Sequence, residues 1–171
     1  TFGSSGSGTG SHLAGALLST VTGAPMTHVP YKGSGQVYPD LIARRVTMLF
    51  DVMGSALGQV KGGKVRALGI TSLKRSSALP EVPTIAEQGF PGYEFATWFG
   101  FFAPAATPAD AVAKLEQATI RALQTDELKL RLEQVAAEPI PAQGPEFGKY
   151  YLADVERWAR LAREGKIAPI E

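Results

Sequence analysis

The groups best placed to do chemistry in this chain are backbone amides and small hydroxyls, collected in two glycine-rich turns. The first is Gly3-Ser4-Ser5-Gly6-Ser7-Gly8-Thr9-Gly10-Ser11-His12-Leu13, and the second is His28-Val29-Pro30-Tyr31-Lys32-Gly33-Ser34-Gly35. Each leads directly into a helical pattern. N–H groups and hydroxyls at a helix N-terminus suit a bound anion, because the donors converge and the helix field favours negative charge. The first turn lacks the Gly-Lys-Ser/Thr of a phosphate loop, and Gly6-Ser7-Gly8-Thr9-Gly10 does not have the dinucleotide spacing. No serine has glycine on both sides at i−2 and i+2, so there is no nucleophile elbow. A flexible Gly/Ser linker is the competing reading of the same residues.

Other reactive side chains are sparse. The chain has two histidines and no cysteine, which removes thiol chemistry, disulfides and thiolate metal sites. His12 at a helix start reads as a cap or packing residue, and His28 in a β-prone run reads as structural. Their spacing gives no metal-ligand pattern, and no cofactor fingerprint is present. Asp51 closes an apolar run, where it could orient a ligand hydroxyl, amine or water, or cap the next helix. One carboxylate does not make an acid/base pair. A serine paired with His12 or His28 is the enzymatic alternative, without local support. Trp98, Phe99, Phe101 and Phe102 lack interleaved basic residues, and the net charge is +1, so nucleic acid is not an expected partner.

The elements that must position the two turns read as an α/β alternation. Helices are expected over Ser11–Leu18, Gly35–Arg44 (with Ser34 as N-cap) and Gly54–Val60. Strands are expected over Thr27–Tyr31, Val46–Phe50 (buried on both faces) and Val65–Thr71. This order indicates a parallel sheet, and such sheets bind ligands at the carboxyl ends of their strands. Thr84-Ile85-Ala86-Glu87 reads as a capping box with Gly89 as the stop. Phe95–Ala103 is β-prone and aromatic. Helices then follow, opening with Thr107 as N-cap and Pro108 at N1, continuing at Asp126–Val135 and ending with Pro145–Glu164 before Gly165; Glu138–Ile140 is a further candidate strand. The late helices have wide apolar faces and few strands to cover, so a covering partner is expected. No run of about 18 apolar residues exists to span a membrane.

Taken in order, residues 3–14, 28–35, Met48–Asp51, Val65–Thr71, Lys74–Gly92 and Trp98–Pro104 resemble the substrate-binding proteins of tripartite tricarboxylate transporters, the Bug-type extracytoplasmic solute receptors. The resemblance covers nearly the whole chain. It implies a type II periplasmic-binding-protein fold of the α/β class, with two lobes, one of them incomplete. Residues 1–92 would form most of the second lobe, and 93–171 the hinge strand and the C-terminal part of the first. A first-lobe segment with another ligand loop would be absent, as in a chain cut at its N-terminus.

The implied function is capture of a small carboxylate in the periplasm, without catalysis and without a cofactor or metal. Membrane subunits of the transporter would read the closed form. The implied ligand residues are Ser5, Gly6, Ser7, Gly8 and Thr9 in the first turn, Tyr31, Lys32, Gly33 and Ser34 in the second, and Asp51. Two alternatives stand beside it. One is an interaction module that binds no ligand and self-associates through the uncovered helices. The other is a serine-dependent hydrolase.

Overall fold

Phe2 and Gly3 are flanked on both sides by chain that is itself extended, and this places the first strand at the centre of a small sheet. In the computed structural model, which describes residues 1–140 and 144–165, β1 (Phe2–Ser4), β2 (His28–Pro30) and β3 (Met48–Leu49) form a parallel sheet in the order β2-β1-β3. The register pairs Phe2 with His28 and Met48, and Gly3 with Val29 and Leu49. α1 (Gly10–Thr22) joins β1 to β2. A 3₁₀ turn at Ser34–Gln36 and then α2 (Val37–Ile42) lead towards β3, and α3 (Met53–Lys61) follows it.

Burial explains why these elements dock. α1 turns Ala14, Gly15 and Leu17 inward, where they meet β1, itself buried along its whole length. Gly15 has no side chain because the Phe2 ring lies where a Cβ would be, and a Cβ on Gly3 would run into the Val37 side chain. The same core holds Val37, Val46, Leu79, Val82 and Phe95. Tyr93, fully buried, donates its hydroxyl to the Ala14 carbonyl at 2.9 Å. Burial pushes that phenol's pKa up, so it stays a neutral donor.

The described chain divides into two compact units, one comprising Thr1–Thr97 and residues 160–165, the other Trp98–Ala159. In the second unit, α4 (Ala109–Gln124) and α5 (Asp126–Gln134) follow one another, with Thr125 capping α5 by accepting the Leu128 N–H. α6 (Gly144–Arg163) comes next. Trp98 sits among Phe102, Phe147, Tyr150 and Tyr151, and its Nε1–H donates to Asp154 at 2.9 Å. Phe99 and Phe101 remain 84% and 88% exposed. No helix among the described residues is long and apolar enough to cross a membrane.

Several sequence expectations hold. The capping box forms in full: Thr84 N–H donates to Glu87 at 2.7 Å, and Glu87 N–H to Thr84 Oγ1 at 3.1 Å. Gly89 ends that turn at φ 102°. Others are corrected. Val65–Thr71 is not a strand; only Ile70 bridges, to Thr84. Phe95–Ala103 and Glu138–Ile140 are not strands either, because extended sequence becomes a strand only where a neighbour supplies the ladder. The third strand shrinks to Met48–Leu49, both half-buried. The second helix starts late, because Ser34–Gln36 is taken up by the 3₁₀ turn. Pro108, not Thr107, occupies the N-cap of α4.

Candidate functional site

Three parallel strands ending side by side bring Ser5–Thr9, Tyr31–Ser34 and Asp51 to one edge of the sheet, the carboxyl edge. The two glycine-rich turns are bonded to each other there. Tyr31 N–H donates to the Ser4 carbonyl at 3.1 Å, and Gly33 N–H to the Ser5 carbonyl at 3.0 Å. Gly33 reaches this position at φ 106°, a conformation that favours glycine.

The first turn carries a dense internal network. Ser11 Oγ accepts the Ser5 N–H at 2.8 Å and lies 3.0 and 3.1 Å from the Ser5 and Thr9 hydroxyls. Thr9 Oγ1 donates to the Gly6 carbonyl at 2.6 Å. Gly6 N–H donates to Ser4 Oγ, and Gly8 N–H to His12 Nδ1, both at 3.1 Å. The amides of Ser5, Gly6, Gly8, Thr9 and Gly33 are thus engaged within the protein. Among the described residues, no protein acceptor meets the N–H groups of Ser7, Gly10, Ser11 and His12 in the first turn, or of Ser34 and Gly35 in the second. The donors open to a guest therefore lie at the helix starts more than at the glycines that the sequence singles out.

The second turn and Asp51 form one unit. Ser34 Oγ donates to Asp51 Oδ1 at 2.6 Å, so Ser34 ties two strand ends together and does not cap α2 with its side chain. Tyr38, 7% exposed, donates its hydroxyl to Oδ2 at 2.7 Å. Ser55 Oγ donates to the same oxygen, and Val52 N–H donates to Oδ1 at 2.9 Å. Burial, with the Asp51 carboxylate beside it, pushes the Tyr38 phenol well above its ordinary range. Asp51 is thereby the fastener between the second turn, α2 and the start of α3. Lys32 stands exposed, its N–H held by Gln36 Oε1 at 3.2 Å. The Tyr31 hydroxyl donates to Asp40 at 2.7 Å, and Asp40 also pairs with Arg45. The Tyr31 bond, with Arg45 beside it, holds the Asp40 carboxyl below the usual range.

His12 as a cap and packing residue and His28 as a structural one hold, while sequence reasoning missed Ser4, Ser11, Tyr38 and Ser55 as the hydroxyls that hold the turns. A hydroxyl within six residues of the turn it caps is a readable local signal for Ser11. His12 and His28 come together only through the pairing of β1 with β2. Their rings stack at 3.8 Å and 10°, with Phe2 against His28 at 5.1 Å. Ser4 Oγ lies 2.6 Å from His28 Nε2. This Ser–His pair is enclosed, since Ser4 is 0% exposed, and no carboxylate holds the far side of the ring among the described residues. A hollow of about 220 Å³ opens beside the histidines, lined by Phe2, Ala16, Ser19 and Met26 as well. A larger one, about 510 Å³, is lined by Val60, Lys64, Arg66 and Val82 among others and includes none of the three strand ends.

Residues 1–167 match the tripartite tricarboxylate transporter family receptor. The chain is 39% identical, over 98% of its length and 50% of the relative's, to the UPF0065 protein in the tcbD-tcbE intergenic region of Pseudomonas sp. strain P51. Among solved structures, Rpa4515 of R. palustris with adipate superposes with a TM-score of 0.91 at 35% identity, covering 99% of this chain and 57% of that one. MatC (Rpa3494) from Rhodopseudomonas palustris with bound malate gives 0.82 at 31% identity, covering 92% and 55%. The chain spans about half the length of these proteins. The α/β fold is accordingly that of the periplasmic solute-binding proteins, present in part. With a family match along nearly its whole length, the chain belongs to the tripartite tricarboxylate transporter receptors.

Proposed function

We propose that this chain supplies the carboxylate-gripping edge of a periplasmic solute receptor, which captures a small dicarboxylate for a tripartite transporter and makes or breaks no bond. The observation that carries this reading is the pair of fused turns at the carboxyl edge of the sheet, with unengaged amides at the starts of two successive helical segments. A carboxylate there accepts charge-assisted hydrogen bonds from N–H groups already fixed in place, so little reorganisation opposes binding. Adipate in Rpa4515 and malate in MatC supply the ligand class. Ser5, Gly6, Ser7, Gly8, Thr9, Tyr31, Lys32, Gly33, Ser34 and Asp51 form the edge. In this reading Ser7 and Ser34 offer amides, while Asp51 and the glycines set the shape. The membrane subunits of the transporter would then recognise the loaded receptor.

Calorimetric titration with adipate, malate and their diamides tests the mechanism. The acids bind, and each diamide binds at least about tenfold more weakly, the expected loss for hydrogen bonds to a charged partner. Equal affinity for an acid and its amide would defeat it.

A second reading is favoured by one feature, the apolar surface of the unit Trp98–Ala159. Phe99, Phe101, Leu115, Leu130 and Leu152 are all more than half exposed. In this second reading these exposed apolar side chains serve association with a second copy of the chain. Sedimentation equilibrium of the 171-residue chain then shows a concentration-dependent dimer that Phe99→Ser/Phe101→Ser dissociates. A monomer at all concentrations removes this reading and leaves the first untouched.

A further inference from the structure

His12 and His28 hold the first turn at two points on either side of Ser7. His12 Nδ1 accepts the Gly8 N–H at 3.1 Å. His28 Nε2 lies 2.6 Å from Ser4 Oγ, which accepts the Gly6 N–H at 3.1 Å. The two rings face each other at 3.8 Å. They come from different elements, α1 and β2, so the pair also fixes where the helix starts relative to the strand.

This geometry sets the protonation states. An Nδ1 that accepts a backbone N–H has no proton of its own, so His12 is the neutral Nε2–H tautomer. Protonating Nδ1 would oppose two donors, and the Gly8 bond would be lost. His28 differs. Its partner Ser4 is a hydroxyl rotor that also lies 3.1 Å from the Gly6 carbonyl. If His28 gains a proton, Ser4 can turn its own hydrogen to that carbonyl and still accept the Gly6 N–H. Only His12 therefore couples a proton to the shape of the turn.

We infer that His12 is the positioning residue of the carboxylate-binding turn, with His28 stacked behind it, and that a proton on His12 releases Gly8 and weakens the grip on the ligand. This rests on the carboxylate reading above. The surroundings are consistent with it. Phe2 and Ser4 from β1, Ala16, Ser19 and Thr20 from α1, and Met26 ahead of β2 line the pair, and none is ionisable. The titratable neighbour of His28 is His12 itself, and burial lowers both pKa values from the ordinary 6.5. The adjoining hollow gives a proton access.

The sign follows from linkage. With a lowered native pKa, the unfolded chain binds more protons than the native one just below pH 6.5. Stability and turn order are full above that value and decline as pH falls through it towards the lowered native pKa.

The test has two arms. In the first, the ¹⁵N-labelled chain is titrated without ligand from about pH 8 to about pH 5.5. The Gly8 amide resonance shifts with the same midpoint as the His12 ring protons, and its hydrogen exchange accelerates in step. A Gly8 amide indifferent to the His12 titration overturns the positioning role. In the second, adipate affinity is measured across the same range for the wild type and for His12→Asn. Asparagine places a non-titrating oxygen near the position of Nδ1. The wild type loses about tenfold more affinity than the variant on acidification, and the ligand's own titration cancels in that ratio. Equal losses overturn the proton coupling. If the wild type binds neither adipate nor malate at pH 8, the carboxylate reading fails, while the first arm still decides the role of His12.

Discussion

Replacing Asp51 with alanine lowers the stability of this chain by about 2–4 kcal/mol and, on the proposed carboxylate reading, weakens adipate binding with it. The carboxylate takes hydrogen bonds from Ser34, Tyr38, Ser55 and the Val52 amide. Exposed donors released by the mutation turn to water at small cost. The Tyr38 hydroxyl cannot do so, because that residue is 7% exposed. An orphaned buried donor costs about 1–3 kcal/mol, and the loss of charge-assisted bonds at Ser34 and Ser55 adds to it. The functional loss follows from Ser34: once released from Asp51, the second turn no longer holds its amides in a fixed direction. Urea denaturation measures the first effect and calorimetry with adipate the second. Asp51→Asn retains one acceptor oxygen and recovers part of both. An alanine variant within about 0.5 kcal/mol of the parent would show that Asp51 is not a fastener.

Gly15→Ala costs about 1–2 kcal/mol, for a reason confined to packing. The new methyl group would stand inside the van der Waals surface of the Phe2 ring, against three of its carbon atoms. Phe2 is 2% exposed and stacks on His28, so the ring has no open space to enter. Overpacking of this kind usually costs about 1–3 kcal/mol, and helix propensity returns less than about 1 kcal/mol of that. The companion change Phe2→Leu makes room. The double variant is therefore more stable than the sum of the two single losses by about 1 kcal/mol or more. Additive losses, measured by the same urea midpoints, would mean that ring and helix do not share the space.

The legibility of the fold tracks how local each feature is. The Thr84–Glu87 box spans four residues, and both of its bonds form. The alternation of short helices and strands from α1 to residue 61 is readable because each turn chemistry lies next to the element it starts, but the central strand β1 is not, because Gly3 and Ser4 read as part of the first glycine-rich turn. Val65–Thr71 and Phe95–Ala103 have the composition of strands without the ladder, and composition cannot reveal whether a neighbour exists. Glycine marks where the backbone must bend or approach closely, as at Gly3 and Gly33. It does not reveal which amides stay open to a guest. That depends on which acceptors fold back on the turn, and His12 and Ser11 settle it at Gly8 and Ser5. The stacked histidines, 16 positions apart, became visible only once β1 and β2 were paired.

The Tyr93 hydroxyl reaches the Ala14 carbonyl across 79 positions of chain. Closure of so large a loop is entropically slow, and contacts of this separation delay folding. During synthesis, the amino-terminal turn therefore emerges from the ribosome long before the tyrosine that seals α1 against the sheet. Until then the nascent segment keeps its apolar helix face bare, a natural target for holdase chaperones.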